Sequence, residues 1–134
     1  VNGDIVDAGS ARAALAQSGA DAVMIGRGAY GRPWIASAIE AALRDGGDAK
    51  EPAPAARLAI VLEHFADSLR FYGDRLGVKI FRKHLGWYVE NAPLPACAAA
   101  RREAKAWLCR MTDPREIETT LTALWRDTEL PLAA

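Results

Sequence analysis

Apolar residues recur every three or four positions through the second half of the chain, the spacing of one face of an α-helix. Glycines and prolines, among them Gly73, Gly77 and Pro114, interrupt this recurrence and predict the ends of separate helices. We therefore predict an all-α four-helix bundle with short connections. Its four apolar faces are Leu58, Leu62, Phe65, Leu69 and Tyr72; Val78, Phe81, Leu85 and Tyr88; Ala100, Ala104, Trp107 and Met111; and Ile117, Leu121 and Leu124.

The first 45 residues show a different pattern, in which short apolar runs alternate with helical segments. Strands are predicted at Val1–Ile5 and Ala22–Ile25. Helices are predicted at Ser10–Ser18, capped by its first residue, and from Pro33 to about Arg44. Connections this short imply parallel strands. Two parallel strands do not form a stable sheet alone, so we expect their partners to lie upstream in a longer protein, of which this chain is a fragment.

Residues 46–54 are rich in glycine and proline and predict a linker between residues 1–45 and a helical domain at 55–134. Hydrophobic residues make up 51% of the chain, enough to bury a core, which excludes global disorder. No apolar run approaches the roughly 20 residues that cross a bilayer, and no basic-then-apolar leader opens the chain. We expect a cytoplasmic protein that is mostly helical.

Positive charge is concentrated in one part of a chain whose net charge is zero. Residues 70–110 hold nine Lys and Arg against three acidic residues, a balance of +6, and the rest of the chain carries the compensating −6. Four of these cations, Arg75, Lys79, Arg82 and Lys83, lie in or just before one predicted helix, on the side opposite its apolar face. Such a surface suits the phosphates of an RNA, and the alternative is a solvated helix face.

A glycine-rich segment, Gly26-Arg27-Gly28-Ala29-Tyr30-Gly31, follows the second predicted strand, and Pro33 follows it as a helix opener. Glycines let main-chain N–H groups approach an anion, so the segment predicts a phosphate-binding loop. The spacing matches a dinucleotide fingerprint, but no further strand ending in an acidic residue follows. A better match is the phosphate site of a β/α barrel, with Asn2-Gly3-Asp4 after strand 7 and Gly26-Arg27-Gly28 after strand 8. The alternative is that these glycines only form turns.

The cysteines and histidines predict neither a disulfide nor a metal site. Cys97 and Cys109 are twelve residues apart, about 18 Å on one helix, so we interpret them as two buried, reduced thiols. We expect His64 and His84 to lie far apart and without partners.

Two motifs together resemble the tRNA-dihydrouridine synthases, in particular the bacterial B-type subfamily. They are NGDI followed by GADAVMIGRGAYGRPWI in the first part of the chain, and RKHLGWY in the helical part. The resemblance implies the last two βα units of a flavin-binding TIM barrel at 1–45 and a tRNA-binding helical domain at 55–134. It also implies reduction of uridine to 5,6-dihydrouridine in tRNA, with flavin mononucleotide (FMN) recharged by NADPH.

Site residues follow from the motifs and from the basic block. The expected FMN-binding residues are Asn2, Gly3, Asp4, Gly26, Arg27 and Gly28. The expected RNA-binding residues are Arg75, Lys79, Arg82, Lys83, His84, Arg101, Arg102 and Lys105. The resemblance places the family's catalytic cysteine earlier in the barrel, so no catalytic residue is expected here, and the fragment should be inactive and hold no FMN alone.

Two other functions are compatible with the same residues. One is a stand-alone helical module that binds nucleic acid, for which the glycine loop would have no use. The other is a flavin barrel oxidoreductase that acts on a small molecule, for which a basic helical domain would have no use. The exposed strands also leave open a non-native self-association of the fragment.

Overall fold

The computed structural model describes residues 1–93 and 98–126, and this part of the chain is mostly helical, as predicted, with six α-helices. The chain divides into two compact units, Val1–Pro52 and Ala53–Ala134. The first unit contains α1 (Ala8–Ser18), a 3₁₀ turn (Arg27–Ala29) and α2 (Ile35–Asp45). The second contains α3 (Pro54–Tyr72), α4 (Asp74–Asn91), α5 (Ala98–Leu108) and α6 (Pro114–Arg126).

The two predicted strands are wrong in extent but right in direction. Within the described residues they are reduced to one parallel bridge between Asn2 and Met24. Gly3 then takes a φ of 144°, which leaves the extended conformation, and Gly26 turns the second segment into the 3₁₀ turn. The two segments therefore stop pairing after a single bridge.

Helix α1 begins at Ala8, two residues before the predicted start, because Asp7 and not Ser10 is its N-cap. The Asp7 carboxylate accepts a hydrogen bond from the Ser10 main-chain N–H at 2.7 Å, and the Ser10 hydroxyl accepts one from the Asp7 N–H at 3.1 Å. This reciprocal pair is a capping box. The hydrogen bonds from the Ser10 main chain and hydroxyl lower the pKa of Asp7, since they stabilise its charged form.

Helix α2 begins at Ile35, and Pro33 lies in the turn that precedes it instead of opening the helix. Ile35 donates its N–H to the Arg32 carbonyl three residues back, a bond of 2.9 Å that tightens this turn. Gly46 ends the helix with a φ of 74°, a conformation that favours glycine. The core of the unit is formed by Ile5, Ala11, Ile35 and Ile39.

Most of the predicted linker, residues 46–52 of 46–54, belongs to the first unit. Glu51 accepts hydrogen bonds from the Trp34 indole at 2.6 Å and from Arg32, with the Arg32 Nε at 2.9 Å. Arg12 of α1 donates to the Gly47 carbonyl. These polar contacts hold residues 47–51 against α1 and the turn before α2, so the boundary between the units falls after Pro52.

Helices α3 and α4 form an antiparallel hairpin joined by Gly73 alone. Ser68 donates its hydroxyl to the Gly77 carbonyl at 3.2 Å, while His64, one turn earlier, meets Tyr88 at 2.9 Å. Gly77 lies inside α4 and does not end a helix as predicted. A Cβ on Gly77 would lie 2.8 Å from the Ser68 carbonyl oxygen, so the glycine permits the close approach of the two helices.

The predicted apolar faces are confirmed for α4 and α6, whose predicted residues are all buried. The predicted face of α3 is partly wrong. Leu58 and Phe65 are buried, but Val61 and Ser68 complete the face, whereas Tyr72 is exposed. The close contact at Gly77 turns the Ser68 side of α3 toward α4, which moves the buried stripe away from the tyrosine. In α5 the buried residues are Ala104 and Leu108.

Cys109 follows the end of α5 as a free, half-buried thiol, where full burial was predicted. Its sulfur lies 3.8 Å from the Arg82 carbonyl oxygen. Cys97 lies outside the described residues.

Candidate functional site

All six predicted cofactor-binding residues surround one hollow in the first unit. Its volume is about 760 Å³, and the bridge between Asn2 and Met24 brings the two loops together on its wall. The hollow is lined by Asn2, Gly3, Asp4, Ile5, Val6, Met24, Gly26, Arg27 and Gly28. Segments more than twenty residues apart in sequence thus form one surface, which local spacing could not establish.

The two loop glycines have different structural roles. A Cβ on Gly28 would lie 2.0 Å from the Ile5 carbonyl oxygen, so this position packs one loop directly on the other. A Cβ on Gly26 would meet no protein atom within 4 Å, so this position faces open space. Gly28 therefore allows the two loops to pack together, while Gly26 leaves open space next to its main chain.

Charge at the hollow comes from Arg27 and Asp4, which form an ion pair at 2.9 Å. Their side chains are 80% and 88% exposed, so solvent screens the attraction between them. The first main-chain bond of the 3₁₀ turn runs from the Ala29 N–H to the Gly26 carbonyl at 3.1 Å. The N–H groups of Gly26, Arg27 and Gly28 precede that bond and are not used by it. An exposed guanidinium beside such N–H groups can bind a phosphate.

Four of the predicted RNA-binding cations lie along α4. Arg75, Lys79 and Lys83 are exposed, and no acidic side chain pairs with them among residues 1–93 and 98–126. Arg82 is half-buried, and its Nε donates to no acceptor within that part of the chain. Positions 75, 79, 82 and 83 share one side of a helix, so α4 presents a continuous positive face.

The three predicted cations of α5 have different surroundings. Arg102 is exposed. Lys105 pairs with Glu90 at 2.7 Å and lies across Gly86 of α4. Arg101 donates to three carbonyls at the end of α4, those of Val89, Glu90 and Ala92, at 2.9 to 3.1 Å. The Arg101 guanidinium therefore caps the C-terminal end of α4.

The expectation that His64 and His84 lie far apart is wrong. The antiparallel hairpin brings their ring centroids to 4.6 Å, edge to face. Burial lowers the pKa of His64, and burial followed by the charges of His64 and Lys83 lowers that of His84. Burial also raises the pKa of Tyr88, the His64 hydrogen-bond partner, to about 12. His84 thus packs among rings and does not extend the positive face.

Pattern reasoning missed the aromatic and apolar residues exposed at the turn between α3 and α4. Phe71 is 81% exposed although it stands beside the predicted apolar face, and Leu76 and Ile80 on α4 are also exposed. The available signal was the position of Phe71 outside the stripe of α3, since such a residue has no helix to cover it.

The described ranges, 1–93 and 98–126, hold no cluster of metal ligands. Within them, no three His, Cys, Asp or Glu side chains stand close enough to bind a metal ion. None of the helices described is both long enough and apolar enough to span a membrane.

The chain is similar to known proteins over nearly its whole length. The family profile described as "Dihydrouridine synthase (Dus)" matches residues 1–128. A probable tRNA-dihydrouridine synthase of Rhodobacter capsulatus is 50% identical over 113 residues, which are 84% of this chain and 32% of that protein. A protein of the same name in Rickettsia conorii is 40% identical over 124 residues, 92% of this chain and 36% of that protein.

A relative with a more specific name shows similar agreement. The tRNA-dihydrouridine synthase B of Pseudomonas aeruginosa is 44% identical over 116 residues, 84% of this chain and 32% of that protein. The chain therefore spans about a third of the length of the curated relatives that it matches. Since the family profile covers both the loops around the hollow and the positive face of α4, the chain belongs to the dihydrouridine synthase family.

Proposed function

We propose that this chain is part of a tRNA-dihydrouridine synthase, an enzyme that reduces uridine to 5,6-dihydrouridine in tRNA. In this proposal residues 1–45 are the last two βα units of a flavin-binding TIM barrel, and the helical unit from about residue 55 binds tRNA. The observation that carries it is the meeting of both predicted loops around one hollow, with an arginine on its wall. The parallel Asn2–Met24 bridge agrees with neighbouring strands of such a barrel.

The residues around the hollow fit the phosphate of FMN. Arg27 supplies an exposed guanidinium, and the N–H groups of Gly26, Arg27 and Gly28 supply further donors. Because a Cβ on Gly26 would meet no protein atom, the loop leaves that space to a ligand. Arg27 also donates a hydrogen bond to the Asp4 carboxylate at 2.9 Å. FMN, when bound, supplies the reducing equivalents for the uracil ring, and this chain's residues anchor the end remote from that chemistry.

A full-length protein carrying this sequence should lose FMN affinity when Arg27 is replaced by alanine. Hydrogen bonds to charged groups contribute about 1.5–3 kcal/mol, so we expect binding to weaken tenfold or more, measured by flavin fluorescence. Arg44→Ala is the matched control, since Arg44 is an exposed arginine of α2 that does not line the hollow. Equal FMN affinity of wild type and Arg27→Ala would contradict the assignment.

The proposal also includes a reductant and a cellular location. We propose NADPH as the reductant, as the family resemblance implies, and the cytoplasm as the location. The 134-residue chain by itself should show neither uridine reduction nor bound flavin.

For the helical unit we propose that Arg75, Lys79, Arg82 and Lys83 contact tRNA phosphates, with help from Arg102. Arg101 and Lys105 are less suitable as phosphate contacts, because each donates hydrogen bonds within the protein. His84 is less suitable as a phosphate contact because burial lowers its pKa and favours the neutral ring. Phosphate contacts hold a protein on RNA without reading its sequence. Basic residues without acidic partners therefore suit a role in positioning tRNA.

The triple variant Lys79→Ala, Arg82→Ala and Lys83→Ala should bind tRNA more weakly and with a flatter salt dependence. For every phosphate that the variant no longer neutralises, the slope of log affinity against log salt should fall by roughly one. The measurement is fluorescence anisotropy with labelled tRNA at several salt concentrations. The control is a second triple variant, Arg44→Ala, Arg115→Ala and Arg126→Ala. It removes the same amount of charge from three other exposed arginines. Identical slopes in both triple variants would show that α4 is only a solvated face.

A further inference from the structure

An apolar surface remains exposed at the turn between α3 and α4. Phe71 is 81% exposed, Leu76 48%, Tyr72 44% and Ile80 38%. The Phe71 and Tyr72 rings stand edge to face with centroids 4.7 Å apart, so one face of Phe71 is free to receive a further ring. Contiguous exposed apolar residues of this kind mark a surface that binds something.

A hollow of about 360 Å³ adjoins this surface, between α3 and α4. Phe71, Tyr72 and Ile80 line its outer part, and His64, Asp67 and His84 bring polar groups to it. Burial favours the neutral form of both imidazoles, which can then both donate and accept hydrogen bonds. Flat apolar walls with a few hydrogen-bonding groups suit a planar heterocycle.

The charges beside the hollow favour an anionic occupant. A second hollow of about 490 Å³ shares Tyr72 with the first and is lined by Arg75 and Lys79. Lys83 lies one turn beyond Lys79 on the same side of α4. Two acidic residues line these hollows. Asp67 of the first is paired with Arg70 at 2.6 Å, and Asp74 of the second stands against two cations, Arg75 and Lys79, so the balance there is still positive. A protein surface that only covered apolar residues would have no use for these cations, whereas a nucleotide offers a ring and a phosphate together.

We propose that an unpaired nucleobase of RNA stacks on Phe71 and enters the hollow between α3 and α4, while Lys79 and Lys83 contact the adjoining phosphates. This inference rests on the proposed RNA partner and adds a site that binds a single base by stacking. Such stacking tolerates any base, because every base has a π face. The site would hold an unpaired nucleotide of a folded RNA without reading a sequence.

The chain's two histidines both line this hollow, so their ring NMR signals report directly on it. In the full 134-residue chain, we expect uridine monophosphate to shift both imidazole signals and ribose 5-phosphate, which lacks the base, to leave them unchanged. Phe71→Trp should preserve the response, because it keeps an aromatic face. Phe71→Leu should require at least about fivefold more nucleotide, because it keeps apolar area but loses stacking. An equal response to both phosphates would overturn the proposal.

A second measurement separates stacking from phosphate binding. We expect Phe71→Leu to weaken binding of a labelled oligouridylate by about fivefold or more, and of an RNA duplex of equal length by less than about twofold. Unchanged oligouridylate affinity in both Phe71 variants would overturn the base site and favour a protein surface as the occupant. The proposed function fails on a different result, an unchanged salt slope in the Lys79, Arg82 and Lys83 variant, so the two failures are distinguishable.

Discussion

Gly28→Ala is expected to disrupt the first unit. The new Cβ would stand 2.0 Å from the carbonyl oxygen of Ile5, a buried core residue, and no side-chain rotation relieves a clash between two backbones. We expect a loss of stability of about 3 kcal/mol or more, at the upper end for added atoms in a packed site. Amide hydrogen exchange measures this, with faster exchange in α1 and α2 and unchanged exchange in α4 as an internal reference.

The neighbouring glycine provides the matched control. A Cβ on Gly26 would meet nothing within 4 Å, and its φ of −97° lies outside the left-handed region. Gly26→Ala should leave hydrogen exchange unchanged. Gly26→Val should also fold, yet in the full-length protein it should weaken FMN binding tenfold or more by blocking the approach to the main chain. Wild-type hydrogen exchange in Gly28→Ala would contradict the packing role of Gly28. Wild-type FMN affinity in Gly26→Val would contradict the binding role of Gly26.

Arg101→Ala should destabilise the second unit by about 2–3 kcal/mol, since its hydrogen bonds are charge-assisted, each worth about 1.5–3 kcal/mol and not additive. The guanidinium donates to the carbonyls of Val89, Glu90 and Ala92 at the C-terminal end of α4, where carbonyls lack the usual partners within the helix. Of these, the Val89 carbonyl also accepts the Ala92 N–H at 3.3 Å. A cation at a helix C-terminus also interacts favourably with the helix dipole. Urea unfolding followed by circular dichroism measures the change in stability.

Arg102→Ala is the control for this prediction, because Arg102 is the adjacent arginine of α5 and is exposed. It should change stability by no more than about 0.5 kcal/mol. It should also weaken tRNA binding more than Arg101→Ala does under conditions where both variants remain folded. The reverse order, with Arg102→Ala less stable, would show that the capping contacts contribute little.

Several features of this protein were predictable because they depend on neighbouring residues alone. The three-to-four spacing around Phe81 and Leu121 predicted buried faces that the structure confirms in α4 and α6. The glycines around Arg27 predicted a loop of this kind, and all six residues of the two loops line one hollow. The predicted helix ends were less accurate. Helix α1 begins where the polar side chain of Asp7 caps it, and the pattern of apolar residues carries no information on such a cap.

Other features depend on contacts between segments that are distant in sequence. The sequence by itself determined the helical character, the two groups of loop residues and the basic block of residues 70–110. Tertiary structure alone decided that His64 meets His84 and that Arg101 caps α4. The physical reason is that local spacing defines the faces of a single helix but not what packs against them. The antiparallel approach of α3 and α4 at Gly77 decides which face is buried and which charged side chains stay exposed.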